Sequence, residues 1–171
     1  NTPGKNTNSA AELTMGLLLS VVRKIHLAHI STSQGKWNRH FFSGIELVNK
    51  TIGIIGIGNV GHRVAKFARG FDMNVIGFDP YVSQEVFRKY NVQKKDTLEE
   101  LLKESDIITL HVPLNKDTRN MLSEAQLKKM KRGAVIINAA RGGIVCENSL
   151  LKALNEGQLL GAGIDTFVNE P

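Results

Sequence analysis

Apolar residues recur at Leu13, Leu17, Val21 and Ile25, with Met15, Leu18, Leu19 and Val22 widening the stripe. That helical spacing predicts one long helix, from Ala10 to about Thr32, burying a broad face. Asn8 or Ser9 can cap it, and Ser9 with Glu12 makes a capping box. A stretch from Gly35 to Asn49 follows, read as a linker with Trp37, Phe41 and Phe42 as aromatic anchors.

From Thr51 the period changes. Short, almost wholly apolar runs alternate with amphipathic stretches. They predict strands at 51–56, 73–78, 91–94, 107–111, 134–138 and 160–165. Between them the same reading predicts helices at 59–70, 83–89, 97–103, 123–130 and 147–156. Strands without a polar face must be covered on both sides, so the pattern predicts an α/β fold: a Rossmann-type doubly wound parallel sheet in one domain. Residues 9–50 form the helix and linker, and 51–171 the core.

Gly56-Ile57-Gly58-Asn59-Val60-Gly61 ends the first apolar run, and Asp79 closes the second, about 20 residues on. Strand, glycine turn, helix and acid together make a dinucleotide-binding signature. Gly56 allows the tight turn, Gly58 a close approach of backbone to a pyrophosphate, and Gly61 close packing of helix on sheet. The pyrophosphate would face the helix N-terminus. Asp79 would accept hydrogen bonds from a ribose diol and repel a 2'-phosphate, which favours NAD over NADP.

Composition narrows the rest. The 171 residues suit one domain, and 42% hydrophobic with 22% charged residues is ordinary for a globular chain. A net charge of +6 permits anionic partners, but the lysines and arginines are scattered, which argues against nucleic acid. One cysteine, Cys146, excludes an internal disulfide framework. The start has no signal-peptide pattern and there is no apolar run of 18 residues. A spanning segment is therefore not expected, and cytoplasm is the expected compartment. His26, His29, His40 and His62 have no spacing that suggests a metal site, so no metal is expected.

Ligands of such sheets bind beyond the carboxyl ends of the strands. That rule selects Gly56 to Gly61, Asp79-Pro80-Tyr81, His111-Val112-Pro113, Asn138 to Gly143, and Asp165 to Glu170. Arg141 is the sharpest candidate among the last three. Its guanidinium fork matches a carboxylate, although a structural salt bridge or phosphate clamp would use the same side chain. Asp165 serves either the ligand or a cap. Glu170, taken alone, reads as a solvated loop residue. His111 could be an acid/base, but Pro113 points to a rigid turn lining the dinucleotide.

Five ordered blocks resemble the D-isomer-specific 2-hydroxyacid dehydrogenases. They are Asn8 to Leu13, Thr51 to Gly61, His111 to Leu114 with Thr118, Asn138 to Val145, and Gly161 to Pro171. The resemblance implies the family's NAD-binding domain. It places the pyrophosphate at Asn59 and Val60, the adenosine ribose at Asp79, Val112 and Pro113 on the adenosine side, and Ala139, Ala140 and Asp165 at the nicotinamide end. Arg141 matches the arginine that holds the substrate carboxylate and carbonyl. Glu170 matches the acid that pairs with a catalytic histidine, which in the family lies beyond the Glu-Pro pair.

The resemblance also makes 1–8 a hinge from a separate substrate domain, and the chain a domain excised from a two-domain enzyme. Alone it would bind coenzyme and turn over nothing. Cys146 stands where relatives usually carry Asp, so the following helix loses an acidic cap. The blocks Ser9 to Thr14 and Asn138 to Gly143 look most like members acting on 3-phosphoglycerate, at the opening of serine biosynthesis. That substrate is expected ahead of hydroxypyruvate, glyoxylate and lactate. A homodimer through this domain is expected too. The rival reading is an NAD(H)-sensing corepressor or partner-binding module.

Overall fold

A computed structural model describes residues 6–170. The expected hinge at 1–8 lies, for residues 1–5, outside the described residues, as does Pro171. The chain opens with α1 (Thr7–Val22), α2 (Ile25–Ser33) and a short 3-10 turn (Arg39–Phe42). It continues with β1 (Thr51–Ile55), α3 (Gly61–Arg69), β2 (Asn74–Phe78), α4 (Gln84–Lys89) and β3 (Gln93–Lys94). The second half comprises α5 (Leu98–Glu104), β4 (Ile107–Leu110), α6 (Glu124–Leu127), β5 (Ala134–Asn138), α7 (Glu147–Asn155) and β6 (Leu159–Ile164).

The strands form one six-stranded sheet in the order β3-β2-β1-β4-β5-β6, and every pairing is parallel. This is the doubly wound arrangement the apolar runs predicted. Successive side chains of a strand point to opposite faces, so each buried strand feeds two cores. Ile52, Ile54, Ile107, Val135 and Ile137 pack with Leu18 of α1 and Val64, Ala65 and Ala68 of α3. Ile55, Ile108, Leu110 and Ile136 pack with Leu101 and Leu102 of α5, Leu127 of α6 and Leu150 of α7.

The N-terminal segment departs from expectation. The helix is long, but it ends at Val22 and is not continuous to Thr32. Lys24 takes a left-handed backbone conformation (φ 53°), and α2 restarts at 64° to α1. The capping box does not form either. The helix begins two residues before Ser9, with Asn6 at the N-cap and no side-chain cap bond. Helix α2 buries none of its residues. Of the linker aromatics only Phe42 is half-buried, with Phe41 packed edge-on against it; Trp37 is 81% and Phe41 66% exposed. Helix α7 starts on Cys146 without a side-chain cap bond. Among the described residues no single helix is long and apolar enough to cross a membrane.

Candidate functional site

The strand order reverses between β1 and β4. The chain leaves β1 toward β2 and β3, then returns to build β4, β5 and β6 on the other side. Their carboxyl ends therefore diverge into a crevice, the usual ligand position in open α/β sheets. At its floor Gly56 has φ +92°, and a Cβ there would lie 2.6 Å from the His111 carbonyl oxygen. A Cβ at Gly61 would lie 2.0 Å from the Gly56 carbonyl oxygen. A Cβ at Gly58 would meet nothing within 4 Å. Two glycines are thus closed by the protein and one is open to approach.

Asp79 ties this loop to the neighbouring strand. Its Oδ2 accepts from the Ile57 amide at 2.9 Å, and its Oδ1 from the Tyr81 amide at 3.0 Å. The carboxylate is therefore fixed in place with lone pairs to spare. Pro80 and Tyr81 beside it are exposed. Val60 forms the N-cap of α3, with Asn59 exposed just before it. The glycine loop, this helix start and the pinned acid together fit a dinucleotide.

Next to Gly56 sits His111, whose amide donates to the Ile55 carbonyl at 2.8 Å. Its Nε2 is sealed from water with no partner. Burial lowers the imidazole from 6.5 to about 4, so it stays neutral at physiological pH and is a wall of the crevice. Val112 and Pro113 continue that wall, and the Thr118 hydroxyl donates to the Pro113 carbonyl at 2.6 Å.

The shift has a consequence for stability. An unfolded imidazole binds a proton below about 6.5, whereas the folded one resists until about 4. Stability therefore falls as pH drops through that window. We expect melting temperature to decline from pH 6.5 to 4, and the decline to flatten in His111→Gln. Parallel melting curves for the two proteins would contradict this origin.

The second half of the site lies beyond β5 and β6. Arg141, Glu170 and Arg119 line one cleft of about 360 Å³ with Leu114, Gly142 and Thr166 among its walls. Arg141 is exposed, and its Nη1 donates to the Ala140 carbonyl at 2.6 Å. Among the described residues it has no carboxylate partner, so the salt-bridge alternative does not hold there. Glu170 Oε1 accepts from the Phe167 amide at 3.2 Å. Asp165 is exposed, and its amide donates to the Asn138 carbonyl at 3.0 Å. Ala139 and Ala140 are half-buried between them.

The structure thus gathers the selected residues into two adjoining groups, one around Gly56 to Gly61 and one around Arg141. Arg119 is not among the residues the sequence singles out, although Leu114 and Thr118 of the same loop are. Sequence reasoning also gave Asn138 no role, although a polar residue ending a wholly apolar strand is a visible signal. Among the described residues no group of three or more His, Cys, Asp or Glu is placed to hold a metal.

Comparison with known proteins agrees with this geometry. The sequence pattern of the "D-isomer specific 2-hydroxyacid dehydrogenase, NAD binding domain" matches residues 15–171. A D-3-phosphoglycerate dehydrogenase of Methanocaldococcus jannaschii is 46% identical over 171 residues, covering 100% of this chain and 33% of the relative. The chain thus spans about a third of the length of the curated relatives it matches. The TT0316 protein of Thermus thermophilus superposes with a TM-score of 0.91 at 37% identity, over 100% of this chain and 54% of that one. A D-lactate dehydrogenase of Aquifex aeolicus, solved with NAD and lactic acid, gives 0.88 at 33% identity over 95% and 49%.

Proposed function

Because the chain belongs to the D-isomer-specific 2-hydroxyacid dehydrogenase family, as its NAD-binding domain, we propose that it serves an oxidoreductase acting on a D-2-hydroxy acid. The chain is then the coenzyme-binding part of a longer, two-domain enzyme. The lead substrate is 3-phosphoglycerate, supported by the 46% identical relative of that name. The observation that carries the reading is Arg141, a guanidinium that has no carboxylate partner among the described residues and shares its cleft with Glu170.

In this reading Gly58, Asn59 and Val60 hold the pyrophosphate, and Gly56 and Gly61 keep the loop in shape. Asp79 and Pro80 hold the adenosine ribose, with Val112 and Pro113 along the adenosine side. Ala139, Ala140 and Asp165 border the nicotinamide end, and His111 lines the pocket next to Gly56. NAD, when bound, supplies the hydride acceptor or donor. Arg141 clamps the substrate carboxylate through two parallel hydrogen bonds and so orients C2. The hydroxyl proton passes to a histidine outside these residues. Glu170 orients that imidazole and raises its proton affinity.

The first test is calorimetric titration of the protein with NADH and with NADPH. NADH should bind at least ~10-fold tighter, because a 2'-phosphate would meet the Asp79 carboxylate, and Asp79→Ser should narrow that ratio. Equal affinities would remove Asp79 as the selector. Turnover of 3-phosphoglycerate ahead of hydroxypyruvate, glyoxylate and lactate by the full-length protein would then decide the substrate.

Leu27, Ile30 and Phe41 line one groove with Phe42 and are exposed, as is nearby Trp37. A second copy is the proposed cover, giving a homodimer through this domain. Light scattering should report the dimeric mass, falling to the monomer in a Trp37→Glu, Phe41→Glu variant. A monomer at high concentration would count against it.

A further inference from the structure

Strand β5 ends on Asn138, a polar side chain only 2% exposed at the close of an otherwise apolar strand. An amide so deeply buried needs partners at both ends. Its Oδ1 accepts from the Ala140 amide at 3.1 Å, and its Nδ2 donates to the Arg141 carbonyl at 3.0 Å. Its own carbonyl accepts from the Asp165 amide at 3.0 Å. One residue thus fastens the end of β5, the loop carrying Arg141 and the segment leading to Glu170.

The neighbouring contacts leave that assembly no slack. A Cβ on Gly142 would lie 2.0 Å from the Phe167 carbonyl oxygen, so the two loops meet backbone to backbone. The Phe167 amide in turn donates to Glu170. The Arg141 side chain, in contrast, is exposed and among the described residues hydrogen-bonds only to the preceding carbonyl. Its guanidinium can turn toward a ligand, but the point it turns about is held by Asn138.

We propose that Asn138 is a positioning residue for the reaction, fixing the backbone of Arg141 relative to Glu170. The proposal rests on the reading of Arg141 as the carboxylate clamp. Asparagine is the side chain that meets the demand: it donates and accepts at once, at this length. Aspartate would keep the bond to Ala140 while setting an oxygen against the Arg141 carbonyl.

The test compares Asn138→Asp, Arg141→Lys and the double variant in the full-length enzyme with 3-phosphoglycerate and NAD. Asn138→Asp should lower kcat/KM about 100-fold, the scale of a small misplacement. NADH affinity should stay within about twofold. The double variant should be no worse than Arg141→Lys alone, because both act through one guanidinium. Activity of Asn138→Asp near wild type, or additive losses, would overturn the proposal.

Amide exchange of the wild-type enzyme decides it should the variant not fold. The Ala140 and Asp165 amides should exchange far more slowly than unbonded amides of the same loops, and free exchange would overturn the brace. Wild-type turnover by Arg141→Lys would sink the carboxylate reading instead, while the exchange result still judges Asn138.

Discussion

Gly61→Ala should destabilise the protein, whereas Gly58→Ala, three residues earlier, should leave its stability almost unchanged and cost it NADH. A methyl at residue 61 has to displace the Gly56 carbonyl, which would lie 2.0 Å away. Backbone cannot swing aside as a side chain does. Overpacking of this kind costs about 3 kcal/mol, or roughly 6–12 °C in melting temperature at this chain length. At Gly58 the same methyl meets nothing within 4 Å of protein. It stands where the proposed pyrophosphate would approach, so NADH affinity should drop by more than ~10-fold while the melting curve stays put. Thermal melts and calorimetry on the two variants separate these outcomes. Equal melting temperatures, or undiminished NADH binding by Gly58→Ala, would contradict the division of labour within the loop.

Arg141→Lys should cost catalysis far more than coenzyme. Lysine keeps the charge but lacks the planar fork, so a carboxylate held by two parallel bonds would be held by one and could rotate. A lost transition-state contact of this type is worth on the order of 4 kcal/mol, or about a thousandfold in kcat/KM. Among the described residues the guanidinium hydrogen-bonds only to the Ala140 carbonyl, so its loss should leave the fold intact. Steady-state kinetics of the full-length enzyme on 3-phosphoglycerate, with a parallel NADH titration, checks both halves. A matched fall in NADH affinity would move Arg141 from substrate to coenzyme.

The sheet was legible because its inner strands are buried on both faces, which leaves short apolar runs bounded by turns. Strand β5 was read at its observed bounds, 134–138. The glycine loop and Asp79 were legible for a related reason: their roles follow from backbone shape, which glycine and spacing encode directly. The break at Lys24 was not legible. The apolar period runs through it to Ile25, no glycine or proline marks it, and the Val22 carbonyl at the break accepts from the distant Ile45 amide at 2.9 Å. Arg119 was hidden in the same way. It reaches the cleft because its loop folds back, with the Asn120 amide donating to the Gly143 carbonyl at 2.8 Å, a contact no local pattern announces.

The separation of α2 from α1 gives the monomer two tiers of cooperativity. Helix α1 holds Ala11, Leu18 and Val22 in the core and opens only when the domain opens. Helix α2 buries no residue, so unravelling it breaks helical hydrogen bonds while exposing little new apolar surface. Its opening free energy belongs near the zero end of the range seen for fraying segments, several kcal/mol below that of the sheet. In a dilute solution residues 7–33 then behave as two folding units joined at one left-handed lysine, the first tied to the core and the second the readier to fray.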